Sequence, residues 1–415
     1  MTDYLIRPRD PLMFRDGRPF AADPGASAES LVMPFPPTLA GALRSLAGQA
    51  GGEPWGQSLR TRVYDLKLKG PLLAAAKTQD DWQTYLPAPA DAVVCTDSRS
   101  GERQVMRLFP WREFSGGCNP AFFRQVNGKE NEVQFADDRL LPLKVESEHK
   151  PERGFDWWSL GDVAVWLSDA DGTAPPGDVL AHPPKEDRTH VGIDGETLAS
   201  KEGMLFTTES VALNDWARDA IPARALIARV EGWKTLPDSF FTPGGERRLA
   251  SLQKTDIWPG FPEELRNASK AGVKLLKLQL VTPAPFSTGW KPEWVDPQNL
   301  NAKVPIGIRD GKNIFLEKKL RLVSACVPRR QAVSGHSQTG PKAARYLAPA
   351  GSVYFFEVVG DEPVTVQEME QLWLTSVCES PNDRGDGFGL AVPGVWRYAE
   401  GEEELCKQDP CSFTR

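Results

Sequence analysis

Two polar segments, each enclosed by strand-forming residues, constrain the fold of this chain most. The first covers residues 188–209, where β-branched and aromatic residues flank a polar middle at 194–202. We expect it to continue through 211–213, which would pair with the strand-like run 224–230. The second covers residues 329–342. Such patterns are typical of β-hairpins, and because a buried hairpin carries apolar residues across its middle, we expect both to project into solvent or toward a partner.

The segments around the two hairpins repeat one order of elements. The first half opens with a strand at 4–8 and a helix at 38–47, whose leucines recur at helical spacing. The second half opens with a strand at 273–281, and after its hairpin a capping box at 365–368 begins a helix. A glycine-rich loop at 384–390 then leads into a last strand. This order predicts ferredoxin-like βαββαβ units, one clear and one distorted by insertion.

The length of 415 residues exceeds what one ordinary core holds, since single cores stop growing at roughly 250–300 residues. We therefore predict an α+β fold of two ferredoxin-like (RRM-like) domains with long insertions and projecting β-hairpins. The first domain covers 1–258, with an insertion at about 51–185 and a thumb hairpin at about 188–232. The second domain covers 259–415 and carries the glycine-rich loop at 384–390. The pattern within the insertion predicts no topology.

Cysteines and histidines give no sign of a metal site or a disulfide framework. The six cysteines are scattered without a Cys-x-x-Cys pair, and the four histidines do not cluster near them. Residues 51–58 have the spacing of a phosphate-binding P-loop, but Gln57 stands where the lysine belongs. Residues 169–172 resemble the start of a calcium loop but lack its closing glutamate. We expect no cofactor and mostly structural, reduced thiols.

The distribution of charge indicates local rather than bulk attraction to nucleic acid. The formal net charge of −7 argues against a protein that coats nucleic acid. Residues 318–346, however, hold seven basic side chains and no acidic one, whereas 400–409 hold five acids and one lysine. This asymmetry separates a candidate phosphate-facing patch from a solvated acidic tail.

A double glycine offers a second candidate phosphate contact. Gly244 and Gly245 precede Arg247 and Arg248 and a strand. Adjacent glycines let backbone amides approach a ligand closely, and arginines bind phosphate in a forked geometry. The plain alternative is a tight turn before an edge strand.

The sequence also predicts where the protein resides. No apolar run approaches the roughly 20 residues of a membrane span. The first residues lead directly into a strand, without the charged and then apolar pattern of a secretory leader. We therefore expect a cytoplasmic protein with no membrane partner.

Taken together, these segments resemble the RAMP superfamily of CRISPR proteins, and within it the third subunit of the type III-B (Cmr) effector complex. The resemblance rests on residues 9–20, 37–44, 191–206, 244–248 and 387–389. They are spread over nearly the whole chain, and their joint occurrence in this order is specific although each alone is weak. The expected insertion contributes least.

The resemblance implies a non-catalytic RNA-binding subunit of an antiviral ribonucleoprotein. Proteins of this kind have two fused ferredoxin-like domains, hold the repeat-derived 5′ handle of the CRISPR RNA and dock the large polymerase-like (cyclase-like) subunit. Adjacent RAMP backbone subunits are further partners, and target RNA is contacted only indirectly. Hairpins act in the family as thumbs that insert at the RNA and splay a nucleotide.

Single-stranded RNA is held by backbone amides, by contacts of Arg and Lys with phosphate, and by stacked side chains. The loops and hairpins above supply such groups, and no catalytic residue or metal ligand is expected. The residues expected to contact RNA are Arg15, Arg18, Thr38, Arg44, Arg188, His190, Lys201, Gly244, Gly245, Arg247, Arg248, Arg329, Arg330, His336, Lys342, Arg384, Gly387 and Phe388.

Two other interpretations stay open at this stage. A related endoribonuclease that processes CRISPR RNA shares these folds and uses histidine as general acid or base. His190 and His336 both lie on candidate RNA-facing segments, but proton transfer needs a histidine beside the scissile phosphate, usually with a second acid or base. A β-rich protein unrelated to nucleic acid would require the acid-free basic stretch to be accidental.

Overall fold

A computed structural model describes residues 1–15, 25–76, 78, 81–96, 101–111, 123–125, 133–135, 140–144, 150–170, 175–213, 223–309, 312–337 and 340–399. Among them are 27 strands and six helices, so sheets form the scaffold. The helices are α1 (Pro36–Ala50), α2 (Gln57–Val63), α3 (Leu160–Ser168), α4 (Glu263–Ala268), α5 (Val366–Leu372) and α6 (Pro381–Asp386).

The strands fall into two groups along the chain. Those of the first half are β1 (Thr2–Pro8), β2 (Ser27–Ala28), β3 (Lys67–Ala76), β4 (Trp82–Pro87), β5 (Ala92–Thr96), β6 (Arg103–Arg107), β7 (Phe109–Pro110), β8 (Phe123–Gln125), β9 (Val133–Phe135), β10 (Leu143–Lys144), β11 (Trp157–Ser159), β12 (Val179–Leu180), β13 (Lys185–Ile193), β14 (Ser200–Val211), β15 (Ala223–Glu231), β16 (Ser239–Phe241) and β17 (Ala250–Thr255). Those of the second half are β18 (Leu275–Leu280), β19 (Asn301–Ala302), β20 (Pro305–Arg309), β21 (Lys312–Phe315), β22 (Leu320–Cys326), β23 (Gln331–Ser337), β24 (Gly340–Leu347), β25 (Val353–Val358), β26 (Thr375–Ser376) and β27 (Leu390–Val395).

The first half is built on an eight-stranded sheet in the order β12-β11-β4-β3-β15-β1-β17-β16. Its strand β1 pairs antiparallel with β15 and with β17. Tyr4 and Ile6 pack in one apolar cluster with Leu39 and Leu43 of α1, whereas Leu5 packs in a cluster on the opposite face. This alternation is the period of two expected for a strand that is buried on both faces.

The second half is built on a six-stranded sheet in the order β19-β22-β25-β18-β27-β26. Its central strand β18 pairs antiparallel with β25 and β27. Leu276 and Leu278 of β18 belong to the same buried cluster as Leu72 and Ile227 of the first sheet. Trp166 of α3 joins this cluster. The two halves therefore share one continuous apolar core.

Four neighbouring strands in each sheet are arranged alike along the chain. They are β3-β15-β1-β17 in the first sheet and β22-β25-β18-β27 in the second. If the four strands of each block are numbered in chain order, their spatial order is 2-3-1-4 in both sheets. The structure thus confirms a mixed α+β fold in which strands dominate, while the division into two ferredoxin-like domains and their boundaries stay predictions.

Two strands lie elsewhere than the sequence pattern indicated. Residues 67–76, predicted within an insertion, form β3 at the centre of the first sheet. The predicted pairing of 211–213 with 224–230 is wrong, because β15 pairs with β3 and β1. Four consecutive residues of β15, from 225 to 228, are buried. A continuous apolar run of this kind is typical of a strand at the centre of a sheet, where both faces are covered. The first hairpin therefore consists of β13 and β14 alone.

The glycine-rich loop predicted at 384–390 begins as a helix. The Ser380 hydroxyl caps α6 by accepting the Asp383 N–H, and Pro381 occupies its first turn. Gly387 ends the helix in a left-handed conformation with φ 98°. Serine and proline before a helix and glycine after it are the usual signals for its two ends.

Helix α5 confirms the predicted capping box. The Thr365 hydroxyl accepts the Glu368 N–H, and the Glu368 carboxylate accepts the Thr365 N–H at 2.8 Å. The helix buries Met369 and Leu372. It ends at Leu372, and Val377 is buried beyond the helix.

Candidate nucleic-acid interface

Both hairpins rise from the rim of one cleft. Lys185, the first residue of β13, and Gln331, the first residue of β23, line a cleft of about 670 Å³. The remaining walls come mainly from residues 29–36, 87–88, 155–157 and 281–283. The cleft therefore lies between the two halves, with the foot of one hairpin contributed by each.

His190 on the first hairpin is held by neighbours across the ladder. Its ring stacks on Phe206 with centroids 5.0 Å apart and planes 11° apart. Its Nε2 lies 2.8 Å from the hydroxyl oxygen of Thr208. This geometry is that of a packed cross-strand pair, and the hydrogen-bond partner is a hydroxyl group rather than a second acid or base.

The basic side chains of the first hairpin are partly neutralised by its own acids. Arg188 Nε donates to the Glu186 carboxylate at 2.7 Å, and Lys185 Nζ donates to Glu209 at 2.6 Å. Lys201 is exposed near the turn. Residues 185–211 hold six acidic and three basic side chains, so this hairpin as a whole carries negative charge.

The second hairpin has the opposite charge. Residues 329–347 hold four basic side chains and no acidic one. Arg329 and Arg330 are exposed at its foot. The guanidinium carbon of Arg330 lies 4.0 Å from the ring centroid of Tyr346, which is a cation–π contact.

Part of the predicted basic patch is already paired within the chain. Three of its members form ion pairs: Lys318 with Glu368 at 3.8 Å, Arg321 with Glu357 at 2.5 Å and Arg345 with Asp383 at 2.9 Å. At the foot of the hairpin this leaves Arg329 and Arg330. His336 and Lys342 lie nearer the tip, where their backbones pair with Pro341 and Gly335. The candidate phosphate-facing patch is therefore narrower than the sequence indicated.

The double glycine approaches the chain's own backbone. The Gly245 N–H donates to the Met13 carbonyl at 2.8 Å, and a Cβ on Gly244 would lie 2.4 Å from the same oxygen. The structure thus supports the tight-turn interpretation for both glycines. Arg247, which has a positive φ of 51°, is exposed on this turn, and Arg248 is half-buried.

Three further predicted contacts lie after β1, two of them before α1 and one in its first turn. Arg15 is exposed, and its backbone forms an isolated bridge with Ser30. Thr38 is exposed in the first turn of α1, where its N–H donates to the Phe35 carbonyl at 2.9 Å. Arg18 lies outside the described residues. Arg15 and Thr38 remain predicted RNA contacts.

Two arginines predicted to contact RNA instead join segments of the protein. Arg44 Nη1 donates to Asp386 at 2.6 Å, and its Nε and Nη2 donate to the Leu66 carbonyl. Arg384 is buried, with Nε donating to the Cys378 carbonyl. Most of their donors are thus engaged inside the fold, and phosphate contacts by these two arginines stay predictions.

The predicted contacts at Gly387 and Phe388 are also structural. Phe388 is completely buried, so its ring cannot stack on a nucleobase. A Cβ on Gly387 would lie 2.5 Å from the Gly70 carbonyl oxygen, so this glycine permits close packing between α6 and β3. Gly387 therefore allows the second half to pack closely against the first, and Phe388 lies in the apolar core that both halves share.

Sequence reasoning missed a histidine in the cleft. His182 Nδ1 accepts from Trp157 Nε1 at 3.3 Å, and His182 Nε2 lies 3.4 Å from Asp156 Oδ1. Because an indole N–H only donates, Nδ1 must be unprotonated and Nε2 must carry the proton. Burial lowers the pKa of His182, although Asp156 opposes this shift. Both ring nitrogens are engaged, which leaves none for proton transfer, and no spacing in the sequence signals this arrangement.

The described residues contain no group of three or more His, Cys, Asp or Glu side chains that could hold a metal ion. Burial raises the pKa of the Cys326 thiol to about 12, so it stays protonated near neutral pH. None of the helices in the described ranges is long and apolar enough to cross a membrane.

Solved structures of CRISPR complexes contain chains similar to this one. Two solved structures are similar to this chain: the Type III-B Cmr-beta bound to cognate target RNA and AMPPnP, state 1, and the Type III-B Cmr-beta bound to cognate target RNA. Their matching chains are 14% and 15% identical, with TM-scores of 0.44 and 0.42, and in both cases 85% of this chain and 86% of that chain are covered. A comparison with curated proteins gave no match.

The family comparison covers nearly the whole chain. Residues 4–396 match the family described as CRISPR-associated protein (Cas_Cmr3). The match includes both sheets, both hairpins and the cleft between them. The chain therefore belongs to the Cas_Cmr3 family of CRISPR-associated proteins, which confirms the resemblance drawn from its sequence.

Proposed function

We propose that this chain is a non-catalytic RNA-binding subunit of a type III-B CRISPR effector complex. It holds the repeat-derived 5′ handle of the CRISPR RNA and docks the large polymerase-like subunit beside the RAMP backbone subunits. The observation that carries the proposal is the exposed pair Arg329 and Arg330. The chain belongs to the Cas_Cmr3 family. In it, the two arginines lie between Pro328 and Gln331, which both line the cleft shared by the two halves.

The charge distribution supports a local grip on single-stranded RNA. A net charge of −7 gives no general attraction to a phosphate backbone, so affinity must come from a few placed contacts. The second hairpin supplies positive charge without neighbouring acids in its own sequence. Arg247 on the tight turn, and Arg15 two residues after the Met13 that bridges to this turn, extend these contacts along the first half.

The fold supports the same proposal. In both sheets a four-stranded block has the strand order of a ferredoxin-like domain, and we assign one RAMP domain to each. Helix α1 follows the first strand of the first block, and α5 and α6 precede the last strand of the second. A ferredoxin-like domain has two helices, so each block lacks one. The described residues between β15 and β17, and those between β18 and β22, form no helix at these two positions.

The first hairpin has a different role from the second in this proposal. Val191, Ile193 and Leu205 are exposed on it, and its net charge is negative. Such a surface suits a wedge that splays a nucleotide at the boundary between handle and guide. The surface does not favour phosphate binding, because its carboxylates repel phosphates. The first hairpin contacts target RNA only indirectly.

The RNA that co-purifies with the assembled complex tests the proposal. Sequencing its 5′ ends should return one uniform handle derived from the repeat. The double variant Arg329→Ala and Arg330→Ala, assembled in the same way, should recover less of this RNA at moderate salt. Heterogeneous 5′ ends in the wild-type complex would overturn the proposal.

The endoribonuclease alternative predicts a different result for the histidines. His190 is bonded to a hydroxyl group, which does not favour proton transfer to or from RNA. We expect His190→Ala and His336→Ala to leave RNA maturation and target cleavage by the assembled complex largely intact. Loss of cleavage with unchanged RNA binding and unchanged assembly would support the nuclease instead.

A further inference from the structure

A second pocket of about 670 Å³ lies at the foot of the basic hairpin. Its lining includes Trp290 and Tyr346, whose side chains are 40% and 51% exposed, together with Arg330. Exposed aromatic side chains that line one concave site mark a candidate binding site. The pocket is separate from the cleft between the halves, although Pro328 lines both.

The backbone holds both aromatic residues firmly. Phe286 and Gly289 form a bridge in a tight turn that requires the positive φ of 94° at Gly289, and Trp290 follows directly. The Trp290 carbonyl accepts the Tyr354 hydroxyl at 2.5 Å. Tyr346 lies on β24 opposite Ala332, and its neighbour Leu347 is buried. The two rings are therefore presented by anchored segments.

One wall of the pocket comes from the first half of the chain. Leu140 and Leu141 line it opposite the hairpin residues. The Leu141 N–H donates to the Val323 carbonyl at 2.9 Å, and the Ser324 hydroxyl donates to the Leu141 carbonyl at 2.8 Å. These bonds hold this wall of the pocket against β22.

Arg330 supplies the charge at this pocket. Its guanidinium lies on the Tyr346 ring, and residues 318–346 contain no acid. Among the residues that the structure describes, no carboxylate forms an ion pair with Arg330. A planar cation on an aromatic ring can both extend a stacking surface and bind a phosphate.

We infer that this pocket takes one unpaired nucleobase of single-stranded RNA. The base stacks on the surface formed by Trp290, Tyr346 and the Arg330 guanidinium, and Arg330 also binds the adjacent phosphate. Base stacking on aromatic side chains tolerates any base, so the pocket selects an unpaired nucleotide rather than a sequence. This inference rests on the proposed function, since it names where on the chain a nucleotide of the handle is held.

Binding of a synthetic handle-bearing RNA to the full-length chain tests the pocket. We expect Trp290→Ala and Tyr346→Ala each to weaken binding by about tenfold, the scale of one stacked base, without changing the salt slope. Arg330→Ala should also lower the slope by about 0.7. Tyr346→Phe keeps the ring and should bind like wild type. Trp55→Ala is the matched control, because Trp55 is 48% exposed and does not line this pocket.

A scan of abasic positions in the same RNA sharpens the test. In wild type, removing the base that occupies the pocket should weaken binding at one position, and this loss should vanish in Trp290→Ala. Thermal melts show whether each variant is folded. If wild type binds no handle RNA, the proposed function fails. If wild type binds and the folded variants bind equally well, only the pocket fails, and defective complex assembly in those variants would identify it as a protein-docking site.

Discussion

Basic side chains are used in opposite ways in the contact between the two halves and on the surface that carries the hairpins. In the contact, Lys277 is fully buried, and its Nζ lies 2.8 Å from Asp91 Oδ2. The other oxygen of Asp91 accepts Trp166 Nε1 at 2.9 Å. At the hairpin foot, Arg329 and Arg330 are exposed to water.

This difference shows why residue type alone does not indicate function. A buried cation is tolerated only with a carboxylate beside it, so Lys277 and Asp91 hold the two halves in one arrangement. An exposed arginine has no such requirement and remains available for a phosphate. The same charge therefore serves the fold in one region and binding in the other.

The largest expected effect is on the buried pair. Lys277→Met should lower the free energy of unfolding by about 3–5 kcal/mol, because it leaves the Asp91 carboxylate buried without its cationic partner. Urea denaturation measures this change. The double variant Lys277→Met with Asp91→Leu removes both charges and should recover part of the stability, since Trp166 Nε1 then lacks its acceptor. The single variant, where folded, should bind RNA with an unchanged salt slope, and a changed slope would break the comparison.

The pH dependence of the free energy of unfolding is a second test of the Lys277–Asp91 pair. Burial lowers the pKa of Lys277 from 10.5 to about 8, although Asp91 opposes this shift. Because the unfolded chain binds this proton more tightly, the contribution of Lys277 to stability rises as pH increases from about 8 to 10.5 and is lost as pH falls through about 8. Relative to the double variant, wild type should gain stability across this window. A constant difference would contradict the assignment.

A smaller effect is expected at Arg44. Arg44→Met should lower the free energy of unfolding by about 1.5–3 kcal/mol, since it removes charged hydrogen bonds to Asp386 and to the Leu66 carbonyl. Denaturant titration of the full chain measures the loss. The salt slope of RNA binding should not change. If the slope falls while stability is retained, Arg44 belongs with the hairpin arginines and not with the contact.

The sequence predicted the local elements better than their neighbours in space. The strand at β1, the helix α1 and the capping box of α5 follow from period and capping, which depend on residues close in the chain. The central position of β3 depends on pairing with β15, about 150 residues away, which no local pattern encodes. For the same reason the sequence predicts RNA contacts for Arg44 and Phe388, since only the folded chain brings Asp386 against Arg44 and the apolar core against Phe388.

The smallest effects separate the two hairpins. Arg329→Ala with Arg330→Ala should reduce the salt slope of handle-RNA binding by about 1.4, from roughly 0.7 for each phosphate contact on a single strand. Arg188→Ala on the first hairpin is the matched change, and it should leave the slope unchanged because Glu186 already neutralises that arginine. All three positions are at least partly exposed, so stability should stay within about 0.5 kcal/mol of wild type. An equal loss of slope from both hairpins would mean that the first also grips phosphate, despite its six acids.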